Sequence, residues 1–159
     1  SVGIGGTIML KINEQRLLNR INQLGEIGID EIGARTRAAV SDTEKAGRDQ
    51  VVAWMKEAGL RVAVDYIGNI FGDMGDESNK HEAPIMMGSH IDTVINAGKY
   101  DGCYGVLAGL EVIQSLQEQQ IVTKVPLVVG AFTNEEGIRY SPDMMGSLVY
   151  AGGLDVKEA

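Results

Sequence analysis

Apolar residues recur along the chain with two different spacings. A spacing of three or four positions predicts helices, and alternating or continuous apolar runs predict strands. Between residues 13 and 27 the apolar side chains recur every three or four positions, as on one face of a helix: Leu17, Leu18, Ile21 and Leu24. Similar spacing predicts further helices over 41–58, over 102–119 and near 144–152. Ser41-Asp42-Thr43-Glu44 has the form of a capping box, which favours a helix start at that point.

Four shorter segments have the pattern of strands. Residues 60–65 alternate in part, and Gly68-Asn69 predicts a turn into a second strand at 70–72, so this pair reads as a hairpin. The runs 84–88 and 125–132 are continuously apolar, as is typical of strands buried on both faces. Strands that alternate with long helices predict an α/β layered domain, with a mostly parallel central sheet flanked by helices.

Composition narrows the range of functions. The 159 residues carry 22 acidic and 14 basic side chains, a formal charge of −8, which argues against nucleic acid as a partner. No apolar run approaches the roughly 20 residues that span a bilayer, so we expect no membrane association. The single cysteine fits a reducing, cytoplasmic location, and no signal-peptide pattern opens the chain. Residues 1–10 are predicted to be a tag or a disordered leader.

Residues able to bind metal follow two of the predicted buried strands. His90 comes directly after the first, and Asp92 lies two positions further on, where an extended chain points its side chain the same way. Asp92 is therefore predicted to orient the His90 imidazole and raise its basicity. A structural histidine is the alternative interpretation of His90.

Three more carboxylates complete the candidate cluster. Glu135 and Glu136 follow the strand at 125–132, and Asp101 precedes a predicted helix. One glutamate of the pair can bind metal while the other moves a proton. A solvated loop is the alternative for the pair, and a helix N-cap is the alternative for Asp101.

Four other polar residues give weaker signals. Cys103 lacks an evident histidine base, so a small buried residue is favoured over a nucleophile. His81 is predicted to face solvent from a polar loop, and Asn69 is predicted to be a turn residue. Arg139 is interpreted either as a contact for an anionic substrate or as part of a surface salt bridge.

Taken in order, four segments resemble the M20-type metallohydrolases, and most closely the branch of amidases, hydantoinases and carbamoylases. These segments are Gly88-Ser89-His90-Ile91-Asp92-Thr93-Val94, Gly98-Lys99-Tyr100-Asp101-Gly102, Gly105–Glu111 and Glu135-Glu136-Gly137-Ile138-Arg139-Tyr140. The similarity covers about residues 11 to 153. Two positions depart from the usual pattern, Ala97 where glycine is common and Tyr140 where phenylalanine is common.

The resemblance implies a role for each residue. His90 would bind one of two divalent metal ions (Zn, Mn, Ni or Co), Asp101 would bridge both, and Glu136 would bind the second. Glu135 would be the general base and acid, and Asp92 would support His90. The implied substrates are small ureido or amide compounds, such as N-carbamoyl-L-amino acids or allantoate. An M20-type peptidase or deacylase, or a non-catalytic module, remains the alternative.

The resemblance also implies parts that this sequence does not contain. The family's site takes two further histidines, and its chains carry a lid and dimerisation domain that supports a homodimer. Residues 11–159 are therefore interpreted as the amino-terminal part of a truncated catalytic domain. We expect weak or partial metal occupancy, little activity from this part alone, and self-association through an exposed sheet edge.

Overall fold

The computed structural model describes residues 9–159 as four helices and one four-stranded sheet. The elements in chain order are α1 (Glu14–Glu26), α2 (Asp42–Glu57), β1 (Arg61–Val64), β2 (Ile70–Asp73), β3 (Ile85–His90), α3 (Cys103–Glu118), β4 (Leu127–Phe132) and α4 (Met145–Tyr150). Every predicted element is present, with ends shifted by one or two residues. Most of the predicted leader, residues 1–8, lies outside the described residues.

The sheet has the strand order β1-β2-β4-β3. The predicted hairpin is confirmed, because β1 pairs antiparallel with β2. β2 also pairs antiparallel with β4, and only β3 and β4 run parallel. The α/β class is therefore confirmed, whereas the prediction of a mostly parallel sheet is wrong. The hairpin reverses the chain, so β2 meets β4 in the opposite direction.

Helices cover the two faces of the sheet unequally. The α2 and α3 helices pack on one face, where Gly72, Val129 and Met87 stand side by side in register. The α1 helix packs against α3 and completes a continuous apolar core on this side. On the opposite face, Tyr150 of α4 stacks against Phe71 and Phe132. Along β4 nearly every residue is buried, as its continuous apolar run predicts.

Three local predictions differ from the structure. The run 84–88 is not buried on both faces, since β3 is an edge strand of the described sheet and the residue Ile85 is 57% exposed. At the start of α2, Ser41 Oγ accepts a hydrogen bond from the Glu44 amide, but the Glu44 carboxylate accepts from the Val40 amide rather than from Ser41. Leu18 also lies on the exposed side of α1.

Within residues 9–159, none of the helices has the length and the apolar character that a bilayer span requires.

Candidate metal centre

The parallel pair of strands brings the candidate ligands together. His90 is the last residue of β3 and lies beside Phe132, the last residue of β4. The chain continues from β4 into Glu135 and Glu136. The segments after β3 and β4 therefore leave the sheet at the same end of these two strands. The carboxyl ends of neighbouring parallel strands lie on the same side of the sheet, and α/β folds usually place their sites there. The third segment, with Asp101, arrives in the loop that precedes α3.

His90, Asp101 and Glu136 form a group that matches the needs of a divalent cation. One ligand atom from each lies within 4.8 Å of the others, and His90 Nε2 is 3.7 Å from an Asp101 carboxylate oxygen. The His90 side chain is 7% exposed, whereas that of Asp101 is 74% exposed, so the group opens to solvent on the acidic side. One imidazole and two carboxylates make a donor set that zinc and similar ions accept, with a coordination position left for water.

The helix-capping alternative for Asp101 does not apply. The N-cap residue of α3 is Gly102, and no side chain makes a cap hydrogen bond there. The Asp101 carboxylate thus remains beside His90.

Glu135 lies next to the group without belonging to it. Its Oε2 atom is 3.4 Å from His90 Nε2, and its side chain is 34% exposed. A carboxylate held beside the ligands and open to solvent has the placement that a proton carrier needs. Its role as general base stays a prediction.

Asp92 lies beside the His90 ring and also makes contacts that the sequence did not predict. The His90 Nδ1 atom bonds to the main-chain carbonyl of Asp92 at 2.9 Å, while the carboxylate is 3.5 Å away. With Nδ1 donating to the carbonyl, Nε2 of a neutral ring keeps its lone pair for a metal. The Asp92 carboxylate also accepts hydrogen bonds from the amides of Glu135, at 3.2 Å, and Glu136, at 3.1 Å. Asp92 therefore joins the two ligand-bearing segments.

The electrostatics of the group favour positive charge. Burial lowers the pKa of His90, but the hydrogen bonds and charge of Asp92, with the Glu135 carboxylate, outweigh burial and raise this pKa to about 9. Burial raises the pKa of Glu136, and the neighbouring acids Asp101 and Glu135 raise it further, against the lowering effect of His90. Crowded carboxylates around one imidazole form a site whose repulsion a cation relieves.

A glycine allows the close approach of the Asp101 loop to the imidazole. Gly102 has φ +66°, and a Cβ atom there would lie 2.5–2.6 Å from atoms of the His90 ring. No other residue type fits without moving the ligand.

The remaining predicted residues lie away from the group. His81 is exposed in the loop before β3, at the opposite end of the strand from His90. Cys103 is buried, and burial raises the pKa of its thiol. Arg139 is neither in the group nor in a surface salt bridge within residues 9–159; it donates to the main-chain carbonyls of Ala39 and Val40 and lies over the Tyr140 ring.

Two buried polar residues, Asn69 and Arg37, have contacts near the site that the sequence did not predict. Asn69 is a turn residue, as predicted, but it is also fully buried: its side chain donates to Gly146 O and Asp65 and accepts from the Thr133 amide, just before Glu135. Arg37 is equally buried and contacts the His90 segment. The contacts of Arg37 with Ile91 and of Asn69 with Thr133 join residues 54 and 64 positions apart, so no local pattern could identify them.

Known proteins resemble both the sequence and this arrangement. The model of peptidase family M20/M25/M40 matches residues 86–159, which include every candidate ligand. The N-carbamoyl-L-amino acid amidohydrolase of Geobacillus stearothermophilus is 42% identical over 143 residues, covering 90% of this chain and 35% of that protein. Allantoate deiminase 1 of Glycine max is 34% identical over 137 residues, covering 85% of this chain and 28% of that protein.

The fold agrees with these similarities. A hydantoinase/carbamoylase family amidase from Burkholderia ambifaria superposes with a TM-score of 0.91 and 41% identity, covering 95% of this chain and 37% of that one. The chain spans about a third of the length of the curated relatives it matches. By the family match over residues 86–159 and by this shared fold, the chain resembles the M20 peptidase family.

Proposed function

We propose that this chain is the metal-binding part of an amidohydrolase that cleaves linear carbon–nitrogen bonds of ureido or amide compounds. The observation that carries the proposal is the group of His90, Asp101 and Glu136 with Glu135 beside it. The names of the relatives support the substrate class, because they describe hydrolysis of N-carbamoyl-L-amino acids and of allantoate. Both substrates carry a ureido group.

The residues divide the work of such a hydrolysis. A divalent metal ion at His90, Asp101 and Glu136 would polarise a water molecule and the carbonyl of the substrate. Glu135 Oε2 accepts the proton of the attacking water and returns it to the leaving nitrogen. Asp92 holds the amides of Glu135 and Glu136, so the proton carrier and the ligand keep a fixed spacing. From a ureido substrate the product is a carbamate, which decays to ammonia and carbon dioxide.

The proposed complete site would hold two ions (Zn, Mn, Ni or Co), and Asp101 would be a ligand common to both. The group in residues 9–159 offers three protein ligands. Three ligands are enough for one catalytic ion but too few for two ions. We therefore propose partial or weak metal occupancy and little turnover for this chain alone. A cytoplasmic location belongs to the same proposal, and the single free thiol of Cys103 supports it.

Metal titration with two variants tests the roles of the paired glutamates. Glu136→Gln should weaken Co²⁺ binding about tenfold or more, since it removes a ligand. Glu135→Gln should leave Co²⁺ binding nearly unchanged and abolish proton transfer in the complete gene product. Equal losses of binding in both variants would contradict this division.

The substrate class is tested by assaying the complete gene product. Ammonia release from N-carbamoyl-L-amino acids or allantoate, with little hydrolysis of N-acyl amino acids or dipeptides, is the expected result. Preferential hydrolysis of dipeptides or acyl amino acids would favour the alternative of a peptidase or deacylase. A product that neither binds metal nor hydrolyses any of these compounds would favour a non-catalytic module.

A further inference from the structure

Arg37 is a buried cation without a buried anion. The whole residue is inaccessible to solvent, and no Asp or Glu oxygen within residues 9–159 lies at ion-pair distance from its guanidinium. Gly47 of α2 packs over its side-chain stem, where a Cβ atom would lie 3.2 Å from Arg37 Cδ. A buried charge is costly unless its donors are satisfied, so the fold must retain it through hydrogen bonds alone.

Acceptors on three different segments receive hydrogen bonds from the guanidinium. Its Nη1 donates to the carbonyls of Leu24, at 3.0 Å, and Ile27, at 2.8 Å, at the end of α1. Its Nε donates to the carbonyl of Ile91, at 3.1 Å, one residue after His90. Its Nη2 donates to Cys103 Sγ at 3.0 Å, at the first residue of α3.

The main chain of Arg37 adds a second connection to the His90 segment. The Arg37 amide donates to the Thr93 hydroxyl, and the Thr93 amide donates back to the Arg37 carbonyl, both at 2.8 Å. His90 and Asp92 therefore lie in a stretch that Arg37 holds at two points. Cys103 directly follows Gly102, the residue that packs on the His90 ring, and stands two positions after Asp101.

We propose that Arg37 is a positioning residue of the metal centre, which sets the distance between the segment of His90 and the segment of Asp101. This inference rests on the proposed function in that both segments supply metal ligands. Arginine suits the role because its planar group directs donors along several fixed directions at once. A lysine has a single ammonium group, which cannot reach Ile91, Cys103 and the end of α1 together.

Arg37→Lys tests the proposal, with Arg16→Lys as the matched control. Arg16 also ties α1 to α3, through Glu111, but contacts none of the ligand-bearing segments. The first measurement is the imidazole NMR spectrum of the metal-free protein, in which His90 and the exposed His81 are the only histidines. Arg37→Lys should shift the ring resonances of His90 and leave those of His81 in place, whereas Arg16→Lys should shift neither.

The second measurement is binding of Co²⁺ alone, followed by its visible absorption. Arg37→Lys should weaken Co²⁺ binding about tenfold or more and change the spectrum of the bound ion, as the loss of an outer-shell partner does. Arg16→Lys should bind Co²⁺ as tightly as the parent does, even if its melting temperature falls as much as that of Arg37→Lys. If Arg37→Lys does not fold, Cys103→Ala removes one guanidinium partner and should shift the His90 resonances in its place.

The outcomes separate the two proposals. Unchanged His90 resonances, or shifts equal to those in Arg16→Lys, would overturn the positioning role whatever the metal does. A parent protein that binds no Co²⁺ would contradict the proposed metal centre, while the metal-free spectra still decide the role of Arg37.

Discussion

At the scale of single residues, the candidate centre depends on contacts that leave no space for another atom. Gly102 lies against the flat face of His90, and Asp92 accepts both amides of the glutamate pair. These contacts fix the ligands before any ion arrives, which is how outer-shell partners set the affinity of a metal site.

Substitution of Gly102 by alanine should displace the His90 ring. The new methyl group would overlap the imidazole, and the positive φ would be strained for any residue with a Cβ atom. We expect Co²⁺ binding to weaken about tenfold or more, measured by titration calorimetry. Gly98→Ala is the control, because a Cβ atom there meets nothing within 4 Å. Equal affinities of the two variants would refute the proposed packing role.

Metal binding should depend on pH through His90. A proton competes with the ion for this ring, and its pKa of about 9 means that binding at neutral pH releases about one proton. Affinity should rise about tenfold per pH unit from pH 7 toward pH 9 and then level off. Calorimetry in buffers of different ionisation enthalpy measures the released proton, with His81→Gln as the unchanged control. An affinity that is flat over this range would contradict the raised pKa.

The same pKa predicts the stability of the metal-free protein. The protonated ring contributes stability that is fully present below the ordinary pKa of 6.5 and is lost as the pH rises through about 9. The melting temperature should therefore fall across this range in the parent and change less in His90→Gln.

The sequence indicated the candidate ligands but not the residues that hold them. His90, Asp101 and Glu136 are recognisable because each follows a strand or precedes a helix, where α/β folds place reactive groups. Arg37 and Asn69 are not, since buried polar residues are explained by partners far along the chain. The spacing of Asp92 predicts its place beside His90, but not its hydrogen bonds to amides 43 and 44 positions away.

At the scale of helices and strands, local patterns placed every element, but of the strand pairings they predicted only the β1–β2 hairpin. Periodicity and capping residues are local, so they predicted where α1, α2 and α3 begin and end. Strand direction depends on which strands meet, and nothing in residues 70–73 indicates that β2 pairs with β4. An apolar run also cannot distinguish a central strand from an edge strand such as β3.

The packing of α1 on α3 depends on one buried carboxylate. Glu111 is 1% exposed and accepts hydrogen bonds from the Arg16 guanidinium, the Asn13 amide and the Ser115 hydroxyl. Burial alone would raise the pKa of Glu111, but these hydrogen bonds outweigh it and lower the pKa.

Glu111→Gln should therefore destabilise the protein by about 3 kcal/mol in urea unfolding, as expected when a buried ion pair loses one charge. Glu118→Gln is the control, because this partner of Arg16 is 53% exposed and should contribute less than about 1 kcal/mol. The stability from Glu111 is present above the ordinary pKa of 4.5 and is lost as the pH falls through its lowered value. A difference between parent and Glu111→Gln that persists in strong acid would argue against this origin.

At the scale of the whole molecule, the sheet has an open side. β3 pairs only with β4 among the described residues, and none of its six residues is a lysine, a proline or an acid. Such an edge is a template for another strand. We propose β3 as the place of the predicted self-association.

Ile85→Lys should keep the chain monomeric at concentrations where the parent associates. Ile85 opens β3 and is 57% exposed, and lysine on an edge strand opposes pairing with a second copy. Light scattering at rising concentration measures the mass. Val122→Lys is the control, since Val122 is 65% exposed but lies in the loop before β4. A parent that stays monomeric throughout would contradict the predicted self-association.

The central place of β4 also determines the order in which the molecule can be assembled. This strand is the last of the four along the chain, yet it lies between β2 and β3, so β3 has no neighbour in the sheet until β4 arrives. The glutamates that follow β4 reach the imidazole only at that step. A cation at this centre would therefore bind the finished molecule and no partly folded one, and by mass action it would favour completed folding.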